Sequence, residues 1–413
     1  MDETGVVGMN DGVAALRDLV IVDADTHLTE PHDLWTSRAP RGWEDRVPRV
    51  RTVDGQPTWT IDGSLVLQRA GASGVVGRDG KKVPGTTFFD WTIDDVHPGA
   101  YDVDARLAMM DEQGVWAQIV YPNTIGFGGQ KFAHVADEEL RLLAATIYND
   151  AMAELQEASG ERLLPMGILP WWDLESAVAE IGRMADLGLH GINTTSAPHE
   201  HGILPDLGDR YWDPVWEAAS DLGLPVNFHI GASESSLAWY GSVPWPSLGP
   251  DQKLGLGSAM MYLNNAGVLG NIIYSGVLER FPRLQIVSVE SGAGWIPFLL
   301  LALDYQISEM APGAMDYLSM APSDYFRRQV HSCFWFERQG IGGVLEAIGH
   351  RHLLFETDFP HPTCIYPDGL EYAAAALASV TDDVRRDVMG GNAARLYRIA
   401  LPESPAGRGG VRP

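Results

Sequence analysis

The feature that most constrains this chain is a rhythm of eight short apolar runs, each separated from the next by a stretch with helical spacing. The runs lie at 19–27, Trp116–Pro122, Leu163–Pro170, Gly191–Thr195, Pro225–His229, Leu284–Glu290, Gln329–Phe336 and His352–Asp358. Between them the spacing predicts helices at 104–114 (with Asp104 as the cap), 137–158, Leu174–Leu187, Trp212–Leu222, 258–280, Trp295–Met310 and Gly340–Gly349, and two more at 368–380 and 381–397. A short, continuous apolar run is the signature of a strand covered on both faces. Strands of that kind alternating with helices build parallel βαβ units. Eight such units make an α/β chain of the (β/α)8 TIM-barrel type. A doubly wound open sheet is the runner-up, but no Gly-rich phosphate loop follows the first run.

The barrel is expected to occupy residues 19–399 as one domain, after a leader at 1–18 and before a polar tail at 400–413. One long irregular region, 31–104, interrupts it after the first strand. This region is rich in Gly, Pro, Trp and Asp, and Thr58-Trp59-Thr60-Ile61 runs into Asp62-Gly63, a hairpin signal. A connection this long inside a compact domain is usually a lid or a functional insertion.

Charge narrows the partners. The formal net charge of −26 leaves no basic face for nucleic acid or for an anionic membrane. The acidic opening Met1-Asp2-Glu3-Thr4 has no apolar run behind it, so neither a secretory signal nor a membrane anchor is expected. Cys333 and Cys364, the two cysteines, form no Cys-x-x-Cys pair and read as reduced thiols of a cytoplasmic protein. A small-molecule substrate is the expected partner. The stretch Met260-Met261-Tyr262 is a candidate homodimer patch or part of the core.

In a TIM barrel the chemistry sits where strands end, at the C-terminal face. Here several runs turn abruptly polar at that point. The first ends in Asp25-Thr26-His27, and residues two apart on a strand share a face. The fifth ends in His229, the sixth in Glu290 and the eighth in Asp358, which the turn Pro360-His361-Pro362 follows. Each has a structural alternative: His229 as a satisfied core residue, Glu290 as the cap of the next helix, Asp358 as a turn cap. Together they are harder to dismiss, because a buried ionisable group without a partner is costly. Asp25, His27, His229 and Asp358 make a donor set suited to one divalent metal ion, Zn, Mn or Fe. Such an ion activates water or polarises a substrate oxygen. Glu290, Asp358 and His361 are the candidate catalytic residues, with Glu290 the first choice for moving protons.

Asp23-Ala24-Asp25-Thr26-His27 with Glu30-Pro31, Asn227-Phe228-His229, Ser275–Pro282, Thr357-Asp358-Phe359-Pro360-His361 and Gly391–Tyr397 resemble the amidohydrolase-related family. That family contains metal-dependent TIM-barrel hydrolases and decarboxylases, aminocarboxymuconate-semialdehyde and resorcylate decarboxylases among them. The resemblance runs from about residue 19 to 399. It implies a (β/α)8 barrel with one divalent metal held by Asp25, His27, His229 and Asp358. Two departures matter. The decarboxylases carry a His-Gly-Gly-like turn after the sixth strand, where this chain has Glu290-Ser291-Gly292-Ala293-Gly294. The first strand also offers Asp-x-His rather than His-x-His. The leading expectation is therefore a metal-dependent hydrolase that uses an activated water on a small cyclic or aromatic, carboxylate-bearing substrate. The alternative is a non-oxidative decarboxylase of an aromatic or unsaturated acid. A third expectation, from another class, is a barrel without catalysis that binds a ligand.

Two further sets of residues are candidates for the substrate pocket. Arg51, Arg69 and Arg78 are candidate carboxylate clamps from the insertion, with solvated side chains as the alternative. Trp171, Trp172, Trp239 and Tyr240 are candidate pocket walls, with ordinary loop packing as the alternative.

Overall fold

The structure is a computed structural model that describes residues 12–71, 73–202, 204–236, 245–313, 316–403 and 405. Its strands are β1 (Ile21–His27), β2 (Arg49–Val53), β3 (Gln56–Ile61), β4 (Leu65–Arg69), β5 (Val115–Tyr121), β6 (Leu163–Pro165), β7 (Gly167–Ile168), β8 (Ile192–Asn193), β9 (Val226–His229), β10 (Ile286–Val289), β11 (Val330–Phe334) and β12 (Leu353–Phe355). One parallel sheet runs β1-β5-β6 and another β7-β8-β9-β10-β11-β12. Two seams join them into a ring. Across Met166, which separates β6 from β7, Met166 N donates to Val120 O and Gly167 N to Gly191 O. At the other seam Asp358 N donates to Asp25 O at 2.9 Å and His27 N to Phe359 O at 2.7 Å. The ring is the (β/α)8 barrel, with β6 and β7 together serving as one stave.

The barrel interior is filled by side chains. Val22, Ala24, Ile119, Tyr121, Met166, Val289, Cys333 and Leu354 form one cluster, separate from the larger core between strands and helices. Its floor is the helix Asn392–Tyr397, which inserts Ala393, Ala394 and Tyr397 from below. Inside the barrel, Asn227 Oδ1 accepts from Tyr397 Oη at 2.6 Å and Tyr121 Oη at 3.1 Å. The turn before the plug helix packs against β1 so tightly that a Cβ on Gly390 would lie 2.2 Å from Val20 O. Only glycine fits that approach.

The region 31–104 is an ordered insertion built on an antiparallel sheet, β2-β3-β4. Its hairpins turn at Asp54-Gly55, a two-residue loop, and at Asp62-Gly63-Ser64, a three-residue loop, and Asp54, Gly55, Asp62 and Gly63 all have positive φ. Val75 N donates to Pro360 O, which fastens the insertion to the loop after β12.

Several elements differ from expectation. Asp102, not Asp104, caps the helix Val103–Gln113, accepting from Ala105 N at 2.8 Å. The helical material expected at about 258–280 is divided among three helices, Pro250–Met261, Asn264–Tyr274 and Val277–Arg280, with Gly276 at φ 74° between the last two. An unexpected helix, Pro322–Gln329, buries Tyr325 and Phe326. Its other positions are mostly polar, so its apolar stripe is too short to show in the sequence. Cys333 and Cys364 are free and buried. Among the described residues no helix is long and apolar enough to cross a membrane.

Candidate metal centre and active site

The C-terminal mouth of the barrel gathers the polar strand ends. On β1, Val22 and Ala24 face the interior cluster, whereas Asp23 faces Gln118 and Thr357. Simple alternation would send Asp25 the same way as Asp23. The β1–β5 register breaks between Asp23 and Thr26, and that irregularity re-aims the chain. Asp25 and His27 therefore both reach the mouth. Arg106 Nη1 donates to His27 O at 3.2 Å and holds the strand end in place.

The last turns of three other strands pass through the left-handed region without glycine. Ile230, Glu290 and Asp358 have φ of 53°, 47° and 59°. Each such residue costs roughly 1–3 kcal/mol and persists only where its surroundings enforce it, commonly at functional sites.

The donor atoms converge. His27 Nε2 lies 3.1 Å from His229 Nε2, 3.5 Å from Asp25 Oδ1 and 3.6 Å from Asp358 Oδ1. His229 Nε2 is 3.3 Å from Asp25 Oδ1. Ligands bound about 2.0–2.2 Å from one tetrahedral ion sit roughly 3.3–3.6 Å from each other. All four side chains are buried. Asp25 Oδ2 and His27 Nδ1 find no hydrogen-bond partner, while His229 Nδ1 and Asp358 Oδ1 meet only Glu290 and His361. Burial, then the neighbouring imidazoles, push the His27 and His229 pKa values well below the usual range, so both rings are neutral. Burial, then Glu356, Asp358 and Glu290, push Asp25 well above the carboxylate range. Neutral imidazoles whose nitrogens face each other across a crowd of carboxylates are unfavourable alone and suited to a shared cation. The residues thus fit a divalent metal. They fall into two overlapping groups, Asp25, His27, His229 and Glu290, and His27, Glu290, Asp358 and His361; within each group the ligand atoms lie within 4.8 Å of one another.

The candidate catalytic residues are in the same place. Glu290 Oε2 is 3.4 Å from His229 Nδ1, the ring nitrogen away from His27, so Glu290 orients His229 as well as facing the cavity. Burial, with Asp358 and Glu356 adding repulsion, raises its pKa well above the usual carboxylate range. Glu290 does not serve as a helix cap. His361 stacks on His27 with ring centroids 3.5 Å apart and brings Nδ1 within 2.9 Å of Asp358 Oδ1. Its Nε2 meets Asn123 Oδ1 at 2.7 Å. Because Asn123 Nδ2 donates to Leu28 O, the amide oxygen faces His361 and that imidazole nitrogen must carry a proton. Asp358 Oδ2 accepts from Thr363 Oγ1 at 2.6 Å.

Several participants were not singled out from the sequence. Glu356, fully buried, accepts from Glu290 N at 3.3 Å and has an unpartnered Oε1. It lies two residues before Asp358, so the same-face rule was the available signal. Asn123 and Thr363 carry no such signal. Glu30 accepts from Asn123 N, Thr124 N and Thr124 Oγ1 and shapes the loop after β5. Asp23 ties β1 to β12 through Thr357 N at 2.8 Å and Thr357 Oγ1 at 2.6 Å; burial nonetheless raises its pKa to about 6.

Above the donor set lies a cavity of about 260 Å³. Phe88, Phe127, Ile230, Met261 and Tyr262 give it apolar walls, and Asn123, Glu290, His361 and Thr363 its polar ones. Gln68, Ser73 and Phe88 come from the insertion, which therefore shapes the pocket. The arginine clamps do not reach it. Arg51 pairs with Asp45, Arg69 with Asp90 and Gln56, and Arg78 with Asp94 and Tyr101. Their side chains are partly exposed, and these partners hold them. Trp171 is buried against Gly128 O and Trp172 packs under Arg141, so neither walls the cavity. Trp239 and Tyr240 lie outside the described residues. Of the stretch Met260-Met261-Tyr262, offered as a homodimer patch or as core, Met261 and Tyr262 line the cavity.

A family model for amidohydrolases matches residues 22–399. The chain belongs to the amidohydrolase family. This amidohydrolase is 20% identical over 304 residues to the 2-amino-3-carboxymuconate-6-semialdehyde decarboxylase of Dictyostelium discoideum, covering 72% of this chain and 77% of the relative. A crystal structure of an amidohydrolase from Mycobacterium avium subsp. paratuberculosis matches with a TM-score of 0.71 at 23% identity, covering 92% of this chain and 99% of that one. A dihydroxybenzoic acid decarboxylase from Polaromonas sp. JS666, solved with manganese and the inhibitor 2-nitroresorcinol, matches with a TM-score of 0.61 at 17% identity over 93% and 98% of the two chains. At these identities the two structures speak for the fold the chains share.

Proposed function

We propose that this amidohydrolase is a metal-dependent carboxy-lyase that removes CO2, without redox chemistry, from a small aromatic or unsaturated carboxylic acid. One observation carries the reading. A cavity of about 260 Å³ with largely apolar walls is lined by Glu290 and His361, which abut His229 and His27 of the buried donor set, and no Lys or Arg is among its described lining residues. A substrate carboxylate bound there has only a metal to neutralise it. The decarboxylase relatives from Dictyostelium and Polaromonas, the latter with manganese, support the same choice.

Asp25, His27, His229 and Asp358 would hold the ion. When bound, it supplies positive charge that anchors the carboxylate and a neighbouring oxygen and stabilises negative charge on the substrate. Phe127 and Ile230 press the ring into register and exclude water. The bond between the ring carbon and the carboxylate breaks, CO2 leaves, and the electron pair stays on carbon. Glu290, at the cavity wall, delivers the proton that this carbon takes up, and solvent replaces it. Asn123 and Asp358 fix the His361 imidazole beside the departing carboxylate.

Hydrolysis through an activated water, the first expectation from the sequence, would use the same residues, and the decarboxylase relatives weigh against it. The test is CO2 release and ring protonation from hydroxybenzoates, run beside hydrolysis of esters, amides and lactones. Glu290→Gln separates the roles of that residue. Gln keeps the size of Glu and its place beside His229 Nδ1, so metal content should hold while turnover falls by about 10²–10⁴-fold. Turnover unchanged in Glu290→Gln, or hydrolysis without CO2 release, would overturn the reading.

A further inference from the structure

We propose that His134, His201 and Glu234 form a second, peripheral site for a divalent cation of the zinc class, clipping together three loops at the mouth of the barrel. The three residues share nothing with the donor set inside the barrel, and the inference does not depend on which reaction the barrel performs. His134 closes the turn Gln130–His134 after β5, His201 follows the turn Pro198–Glu200 after β8, and Glu234 lies in the loop after β9. Far apart in sequence, they bring one ligand atom each to within 4.8 Å of one another.

His134 Nε2 stands 3.0 Å from Glu234 Oε1. The His134 and His201 rings are 5.7 Å apart. His201 Nε2 is shielded from water and has no hydrogen-bond partner. On its other side the ring packs 5.1 Å from buried Trp171, which limits its movement. The backbone is already drawn together, since Ser235 N donates to Glu200 Oε2 at 3.0 Å between the second and third loops. Two imidazoles and one carboxylate select zinc, copper or nickel over magnesium or calcium. With one water they complete a tetrahedron.

Position gives the site its consequence. Phe127 and Ile230, which line the substrate cavity, belong to the first and third of these loops. A cation joining the loops would stiffen the wall of the pocket without touching the substrate.

The test is metal content after equilibrium dialysis against buffered zinc, measured by plasma mass spectrometry on the full chain. Wild type should hold one equivalent more than the double variant His134→Gln/His201→Gln, whatever the barrel site holds. Glu234→Gln, a milder change, should also weaken the extra equivalent. Hydrogen exchange in 124–136 and 196–202 should slow on adding zinc to wild type but not to the double variant. Equal zinc content in wild type and double variant would overturn the proposal. So would unchanged exchange of those loops on zinc binding, which would leave only an exposed His–Glu ion pair.

Discussion

At the lower mouth of the barrel, Asn392 Nδ2 donates to the carbonyls of His350 and Leu353, and Gln329 Nε2 to those of Phe281 and Leu284. At the upper mouth, Asp25, His27, His229 and Asp358 are equally buried, yet their donor atoms face chiefly one another, His27 Nε2 lying 3.1 Å from His229 Nε2 and 3.5 Å from Asp25 Oδ1. The two ends use polar residues for opposite purposes. Below, side chains satisfy backbone groups that the barrel cannot pair itself, and the return is stability. Above, carboxylates and imidazoles are held against their own electrostatics by backbone turned through unfavourable angles. That arrangement makes sense when something absent from the chain completes it.

The comparison breaks most visibly at Asp25. Asp25→Asn keeps the shape and removes the charge, so it should lower metal affinity and cut kcat/KM by about 10³-fold. The metal-free variant should nonetheless melt no earlier than metal-free wild type, because a buried carboxylate has become a neutral amide. Melting curves of the two apo proteins check this, and an apo variant that melts much earlier would place Asp25 with the structural residues.

Asn392→Ala should do the reverse. Two carbonyls lose their donor, and unfolding free energy should fall by about 1–3 kcal/mol while kcat per folded enzyme stays the same. Denaturant titration beside an activity assay reads both.

The smallest effect expected is at His331, on the lower half of β11. Burial, then His352 and Arg395, lower its pKa from 6.5 to about 3, and its Nε2 meets Gln285 Oε1 at 3.0 Å. A folded-state pKa below the unfolded value means the unfolded chain takes the proton first. The contribution of His331 is therefore fully present above about pH 6.5 and is lost as pH falls from there towards 3. His331→Gln should flatten that part of the stability–pH curve and leave the neutral plateau nearly unchanged. An identical slope in the variant would assign the acid sensitivity elsewhere.

The fold was legible because its period is long and regular: every barrel strand was anticipated as a buried run, with ends wrong by a few residues. The helix Pro322–Gln329 escaped because packing on the core, rather than an apolar stripe of its own, stabilises it. The pairing of Asp25 with His27 follows the rule that residues two apart share a face, but the same rule applied from Asp23 to Asp25 would have sent both away from the mouth. Strict alternation fails there, and the break between Asp23 and Thr26 supplies the result. The arginine clamps failed for a different reason. Arg51, Arg69 and Arg78 looked free in the sequence because their partners Asp45, Asp90 and Asp94 lie outside the sheet, in segments whose path composition alone does not reveal. The same limit hid Asn123, whose role depends on Leu28 and His361 being its neighbours in space. Glu356 differs from these, because its position two residues before Asp358 on the same strand end was a signal present in the sequence.

Anomalous diffraction from crystals grown with manganese or zinc tests the central claim most directly. The account predicts a peak between His27 Nε2, His229 Nε2 and Asp25 Oδ1, with Asp358 beside it. A barrel mouth with no peak, its four side chains hydrogen-bonded only to one another, would contradict it.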